Sequence, residues 1–351
     1  MWPVIVFGVL VFVLWYLYDF HASKTRKIPV HGQGVLITGC DTGFGHYLAK
    51  RLDEMEFRVF AGCLEKNGVG AAELMKSCSD RLSVVQLDVT KDDQIKDARN
   101  CIEKVHRDTG CGLWAVVNNG GIDCFGDIEF CTMDMYRQVA NVNLFGMVNV
   151  TKTFLPMIRK SKGRVINCTS VKGRLSLPRI SVYGITKYGG ENFSDCLRLE
   201  MRKFGVKVVI VEPGEFGGVT GLLKGNNLKR LKNEMDRMWN QADPEVKQVY
   251  GRKYLESQFS SLDKAGDTSP CSVEPVIDAF IDAVTLENPK PRYLVDGGTG
   301  LIDKYCFYAR LNRYLSSLQF YARLNRYLPT PWMDFLIDRW FNSLGTTNIG
   351  T

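Results

Sequence analysis

The chain has 351 residues, 45% of them hydrophobic and 24% charged, with a net charge of +7; this excludes a disordered or fibrous protein and allows one large domain or two small ones. Lysine and arginine are scattered, with some concentration at 224–232 and 304–326, and no basic run interleaves with aromatics, which speaks against nucleic acid and favours anionic lipid as a partner. Eleven cysteines with no C-x-x-C pair fit buried free thiols rather than a disulfide framework, and four histidines with no ligand spacing give no metal site.

Residues 1–18 carry no charge and are mostly Val, Leu, Ile, Phe, Trp and Tyr. As a helix they would span about 27 Å, enough for a bilayer core. Trp15, Tyr16 and Tyr18 suit the membrane interface, and Lys24, Arg26 and Lys27 follow closely. A cleaved signal peptide would want a basic start and a small-x-small cleavage site, and neither is clear here. The expectation is an uncleaved transmembrane helix over 1–20, with the remainder of the chain on the cytosolic side.

Gly34-Val-Leu-Ile-Thr38 reads as a buried strand. It runs into Thr38-Gly39-Cys-Asp-Thr-Gly43-Phe-Gly45 and then a helical pattern through Leu48, Leu52 and Met55. A strand, a glycine turn and a helix start form a site for a pyrophosphate, because bare backbone lets the anion approach the helix N-terminus. Residues 58–62 read as the second strand. The residues after it, Cys63, Leu64, Glu65 and Lys66, and the acid Asp41 inside the glycine turn lean toward NAD over NADP, without excluding NADP.

Leu82 to Val89 is a third strand ending in Asp88, and 91–106 suggest a helix. Trp114 to Gly121 is a fourth strand leading into Asn118-Asn119-Gly120-Gly121. Residues 133–158 form a long helical pattern containing Asn143. Arg164 to Ser170 is a fifth strand that delivers Ser170 at its end. The next helix, 183–203, carries Tyr183 and Lys187, four residues apart on one face. An ammonium beside a phenol favours the phenolate, so Lys187 is expected to lower the Tyr183 pKa toward working pH. Such a phenol can give or take a proton at a substrate oxygen, and Ser170 could hydrogen-bond the same oxygen. Residues 206–214 are a sixth strand closed by Pro213-Gly214.

Strands alternating with helices argue for an α/β fold with a doubly wound parallel sheet covered on both faces. Ligands in such sheets bind at the strand C-terminal ends, where every motif above lies. From Gly221 to Pro270, Leu228, Leu231, Met235, Met238 and Trp239 recur at helical spacing, and Tyr250, Tyr254 and Phe259 continue an aromatic stripe. Core packing and a mobile lid over an apolar substrate are equally good readings of it. Asp243-Pro244 looks like an N-cap and first helical position. Residues 275–286 form another amphipathic helix and 292–295 a last strand. In the tail, Phe307 to Leu315 recurs letter for letter as Phe320 to Leu328, rich in Arg, Tyr and Leu like helical segments at membrane surfaces.

Thr38-Gly-x3-Gly-x-Gly45, Asn118-Asn-Gly-Gly121, Asn143, Ser170, Tyr183-x3-Lys187 and Pro213-Gly214 together resemble the motif set of the short-chain dehydrogenases/reductases. One departure is Gly120, where that family usually has Ala. The match covers roughly 33–300, and local stretches resemble the membrane-associated steroid, retinol and hydroxybutyrate dehydrogenases of the family. The resemblance implies a Rossmann-like domain over 33–300 with a substrate lid at about 215–270, after an anchor at 1–20 and before a helical, membrane-contacting tail at 301–351. It implies hydride transfer between NAD and an alcohol carbon. Tyr183 would be the general acid/base, Lys187 would hold the nicotinamide ribose, Ser170 would bind the substrate oxygen and Asn143 would complete the proton relay. Gly39, Gly43 and Gly45 would border the pyrophosphate. Asp88 and Val89 would contact adenine and Asn119 the adenosine ribose, while Pro213, Gly214 and Thr220 would lie along the nicotinamide.

The implied substrate is lipophilic, a 17β-hydroxysteroid or retinol, in a membrane of the endoplasmic reticulum. The alternative is 3-hydroxybutyrate in a mitochondrial membrane, with Lys172, Arg174 and Arg179 as candidate anchors for its carboxylate. A second alternative is a membrane scaffold that has lost the chemistry. A homodimer or homotetramer is implied by the resemblance alone.

Overall fold

Continuous apolar runs make the sheet. A computed structural model describes residues 25–30, 32–223, 225–267 and 272–295. Strand β1 (Gly34–Thr38) is buried at every residue, as are β5 (Arg164–Cys168) and all but the first residue of β2 (Arg58–Cys63) and β6 (Lys207–Pro213). Strands of that kind need cover on both faces. With β3 (Leu82–Gln86), β4 (Leu113–Asn118) and β7 (Arg292–Val295) they form one sheet of order β3-β2-β1-β4-β5-β6-β7. Every pairing is parallel. The order reverses between β1 and β4, which opens a crevice at the strand C-terminal ends.

Alternate residues feed opposite faces. Val35 and Ile37 pack against Leu48 and Leu52 of α1 (Gly43–Glu54), Leu74 of α2 (Val69–Ser77) and Phe280 of α10 (Glu274–Thr285). Leu36 and Phe60 belong to the other core, with Ile95 and Ile102 of α3 (Asp92–Thr109), Phe154 of α5 (Met147–Ser161) and Leu197 of α6 (Ser181–Met201). The doubly wound sheet expected from the sequence is therefore present. Strands β1 and β7 fall where the sequence places them, but α2 has no counterpart in that reading.

The long helix expected over 133–158 is interrupted. Helix α4 (Met133–Ala140) passes into a wider π-turn over Asn141–Gly146 before α5 begins. A π-turn rotates the residues in it relative to the helices on either side, and such turns recur at functional sites. Here the turn leaves Asn143 only 1% exposed.

Helices α7 (Gly225–Gln241), α8 (Pro244–Tyr250) and α9 (Arg252–Asp267) lie between β6 and α10. Their aromatic and sulfur residues fill a third core. Leu231 and Met238 are fully buried against Phe130, Met135 and Phe259, while Met235, Trp239 and Tyr250 pack at its edge. Phe130 stacks near Trp239 at 6.4 Å and meets Tyr250 edge-on at 5.2 Å. The packing read from this stripe is present in the fold. Asp243 and Pro244 do start α8, although the Asp243 side chain makes no capping bond. Among the described residues no helix is long and apolar enough to cross a membrane. The anchor expected at 1–20 and the tail at 301–351 lie outside the described residues.

Candidate active site

The chemistry-bearing residues gather where β4, β5 and β6 end. Tyr183 stands in the first turn of α6 and Lys187 one turn later, as their spacing requires. The Lys187 Nζ donates to the Cys168 carbonyl at 3.0 Å and lies 5.3 Å from the centroid of the Tyr183 ring. Ser170 follows β5 in extended backbone. Its Oγ accepts from the Lys172 amide at 3.2 Å and donates to the Pro213 carbonyl at 3.3 Å.

The charge balance differs from the expected one. Burial raises the Tyr183 pKa well above that of a free phenol, Asp123, Cys168 and Glu215 add to the rise, and the neighbouring Ser170 hydroxyl opposes it. Burial likewise lowers the Lys187 pKa. The ammonium does sit by the ring, but desolvation outweighs it, so the phenol by itself is a weaker acid than the Tyr-Lys spacing implies.

Asn143 points into the same region from the π-turn. Its Oδ1 accepts from the Ile122 amide at 2.8 Å and its Nδ2 donates to the Ile122 carbonyl at 2.8 Å and the Thr186 hydroxyl at 3.2 Å. It thus ties the loop after β4 to the helix that carries Tyr183.

The glycine turn follows β1. Gly39 adopts φ +72, open to glycine at no steric cost, and a Cβ there would lie 2.7 Å from the Gly120 Cα. A Cβ on Gly45 would lie 2.3 Å from the Gly39 carbonyl oxygen. Only bare backbone fits, and α1 starts at Gly43 with no side-chain cap from Thr42, so its first-turn amides face the cleft as a pyrophosphate needs. The turn after β4 is tied down by Thr38, whose Oγ1 accepts from the amides of Asn119 and Gly120 at 3.0 and 2.9 Å. The Asn119 side chain donates to the carbonyls of Thr38 and Gly39 at 3.0 and 3.1 Å, so it braces the glycine turn itself.

One cleft of about 610 Å³ joins these parts. At one end lie Asp41, Leu64, Asp88 and Val89, in the middle Gly39, Gly43 and Asn119, and at the other Ser170, Tyr183, Lys187, Pro213, Gly214 and Thr220. Gly45 and Asn143 are placed just behind the lining, where they shape it. An elongated dinucleotide fits this run of groups. The Asp41 carboxylate accepts from the amides of Leu64 and Glu65 at 2.8 and 3.0 Å, fixing an acid beside the end of β2. The Thr220 hydroxyl is already committed to the Phe216 carbonyl at 2.9 Å.

Besides Glu65, which follows β2 beside Asp41, four further charged residues join the lining: Asp123, Lys172, Glu215 and Arg230. Sequence reasoning assigned only Lys172 any role, as a candidate anchor for an anion. The signal for the others was their place, since Asp123 follows the Asn-Asn-Gly-Gly turn and Glu215 directly follows Pro213-Gly214. Lys172 pairs with Glu215 at 3.1 Å. Arg174 pairs with Glu212, and Arg179 lies 4.9 Å over the Phe125 ring and feels the charge of Asp127. The aromatic stripe of α7 to α9 does not line the cleft, whereas Leu222, Leu223, Asn226 and Asn227 do.

Comparison with known proteins agrees with this arrangement. The family model described as short chain dehydrogenase matches residues 33–230. The mitochondrial D-beta-hydroxybutyrate dehydrogenase of Bos taurus is 46% identical over 267 residues, 76% of this chain and 77% of that protein. The Homo sapiens 17-beta-hydroxysteroid dehydrogenase type 2 is 40% identical over 301 residues, 86% of this chain and 75% of that protein. A solved short-chain dehydrogenase from Streptomyces avermitilis superposes with a TM-score of 0.62 at 22% identity, covering 85% of this chain and 100% of that one, a likeness of fold.

Proposed function

The chain belongs to the short-chain dehydrogenase family and is an oxidoreductase acting on CH–OH groups, and on that premise we propose that it moves a hydride between NAD and the alcohol carbon of a lipophilic substrate, a 17β-hydroxysteroid or retinol. The observation that carries the reading is the convergence of Ser170, Tyr183 and Lys187 with the glycine turn in one cleft. Gly39, Gly43, Gly45, Asp88, Val89, Asn119, Pro213, Gly214 and Thr220 hold or border the dinucleotide, with Asn119 acting through the turn it braces. When bound, the dinucleotide supplies the hydride acceptor or donor. Asp41 beside β2 favours an unphosphorylated ribose, hence NAD over NADP.

The remaining work falls to the chain's own side chains. Ser170 donates to the substrate oxygen and orients it. Tyr183 takes the hydroxyl proton during oxidation and returns it during reduction. Lys187 presents a positive charge beside the phenol and the ribose. Asn143 keeps the Ile122 loop and α6 in register, so that these distances hold.

The pairing of Lys172, Arg174 and Arg179 with carboxylates or rings supports an uncharged substrate, because a carboxylate would have to displace an existing partner. The identity to the bovine hydroxybutyrate enzyme favours a second reading, oxidation of a small hydroxy acid in mitochondria. We place the catalytic domain over 33–300, with 215–270 forming one wall of the substrate end, an anchor at 1–20, a lipid-contacting tail at 301–351, and assembly as a dimer or tetramer. The enzyme's seat is a membrane of the endoplasmic reticulum under the first reading.

Purified full-length protein assayed with estradiol, retinol and 3-hydroxybutyrate, each with NAD and NADP, is the test. Turnover of the first two with NAD is expected. Turnover of hydroxybutyrate alone overturns the lipophilic reading, and unchanged activity in Tyr183→Phe overturns the chemistry.

A further inference from the structure

Two ammonium groups lie within about 6 Å of the Tyr183 ring centroid. One is Lys187, 5.3 Å from the ring centroid, and the other is Lys172, 5.7 Å away. The second cation comes from a different element, the short 3-10 turn Val171–Gly173 that follows Ser170. That turn is pressed onto the catalytic helix: a Cβ on Gly173 would meet the Lys187 carbonyl oxygen at 3.0 Å. The Lys172 amide holds the Ser170 hydroxyl, so its backbone position is bound to that of the proposed substrate-orienting group.

The Lys172 side chain is 18% exposed and is held by Glu215 at 3.1 Å. Burial works against its charge, yet Glu215 and Asp123 outweigh burial and leave its pKa above the ordinary lysine range. The ammonium therefore stays charged. The groups that face the phenol are Asp123 after β4, Cys168 on β5, Ser170 and Lys172 in the turn, Lys187 on α6 and Glu215 after β6. Arg230 of α7 stands behind them, donating to the Asp123 carbonyl at 2.9 Å and paired with Glu234.

We infer that Lys172 is a second cationic positioning residue for the proton-transfer step, and that Glu215 and Asp123 regulate how much of its charge reaches the Tyr183 phenol. The inference rests on Tyr183 being the group that moves the proton. It adds a tuning set built from three strand ends to the Ser, Tyr and Lys that the motif contains. A unit charge about 6 Å from the phenol at an effective dielectric near 20 displaces its titration by roughly 2 pH units. Glu215 screens part of that, so removing either member of the pair should displace it by about 1 unit, in opposite directions.

The test uses full-length wild type, Lys172→Gln, Glu215→Gln, the double variant and Lys172→Arg. Two readouts are taken on NAD-saturated enzyme: the near-ultraviolet phenolate absorbance of residue 183, as the difference from the matching Tyr183→Phe background, and the pH profile of alcohol oxidation. Lys172→Gln is expected to move both midpoints up by about 1 unit, Glu215→Gln down by about as much, and the double variant back to within about 0.3 unit of wild type. Lys172→Arg, which keeps the charge, is expected to titrate like wild type. Should Lys172→Gln fail to fold, Glu215→Gln and Lys172→Arg still decide.

A merely structural role for the pair would move both single variants the same way and leave the double variant the worst of the three, which overturns the inference. So does an unmoved phenolate. A phenolate that moves as expected while the rate profile ignores it removes Tyr183 from the chemistry, and the assigned role of Lys172 goes with it.

Discussion

Replacing Asn143 by Ala tests whether the π-turn serves the site. The side chain makes three hydrogen bonds, two to the backbone of Ile122 at 2.8 Å each and one to Thr186 at 3.2 Å, and it is 1% exposed. Ala removes all three and leaves the amide and carbonyl of half-buried Ile122 without their partner. Each such loss costs about 1–3 kcal/mol, and partial access of water to Ile122 pulls the sum toward about 2–4 kcal/mol. Equilibrium urea unfolding reads this as a lower midpoint at unchanged slope. Because Ile122 and its neighbour Asp123 line the cleft, loosening the loop also misplaces the substrate wall, and kcat/KM should fall about 10- to 100-fold. An Asn143→Ala protein within about 0.5 kcal/mol of wild type would refute the claim that this residue clamps the loop to α6.

Oxidation should accelerate with pH through the neutral range while reduction stays level there, because burial raises the Tyr183 pKa, oxidation needs the scarce phenolate and reduction uses the phenol that is already protonated; a flat oxidation profile would count against it. The stability linked to that phenol has the matching sign: with the folded pKa above the free value, it is fully present below about pH 10 and lost as pH rises further, which alkaline unfolding titrations of wild type and Tyr183→Phe can compare. Asp41→Ala should raise NADP use relative to NAD by about 10-fold, read as the ratio of kcat/KM values, since the acid held by Leu64 and Glu65 no longer repels a ribose phosphate. Gly45→Ala places a methyl 2.3 Å from the Gly39 oxygen, and calorimetric binding of NAD should weaken by at least about 10-fold.

Much of the scaffold was legible because buried parallel strands leave a plain trace. Runs such as Val35-Leu-Ile and Val208-Val-Ile-Val cannot face water on either side, and each ends in a turn residue that closes the strand. The Tyr183–Lys187 pair was legible for a local reason, since four residues make one helical turn whatever surrounds it. Helix α2 was not, because only Ala71 and Leu74 point inward and Val69 and Met75 are exposed, which blurs the period.

The buried strands and the helical spacing of Tyr183 and Lys187 were thus set by the order of residues alone, as were the glycine turn and the Ser, Tyr and Lys of the motif. Only the tertiary structure decided that the helix after residue 140 opens into a π-turn, because Asn143 finds its partner at Ile122, 21 residues back. Only it decided that the aromatic stripe packs inward, and that Asp123, Lys172 and Glu215 from three separate strand ends meet around one phenol. The direction of the Tyr183 shift belongs there too, because desolvation depends on everything that excludes water from a group, and no local pattern records it.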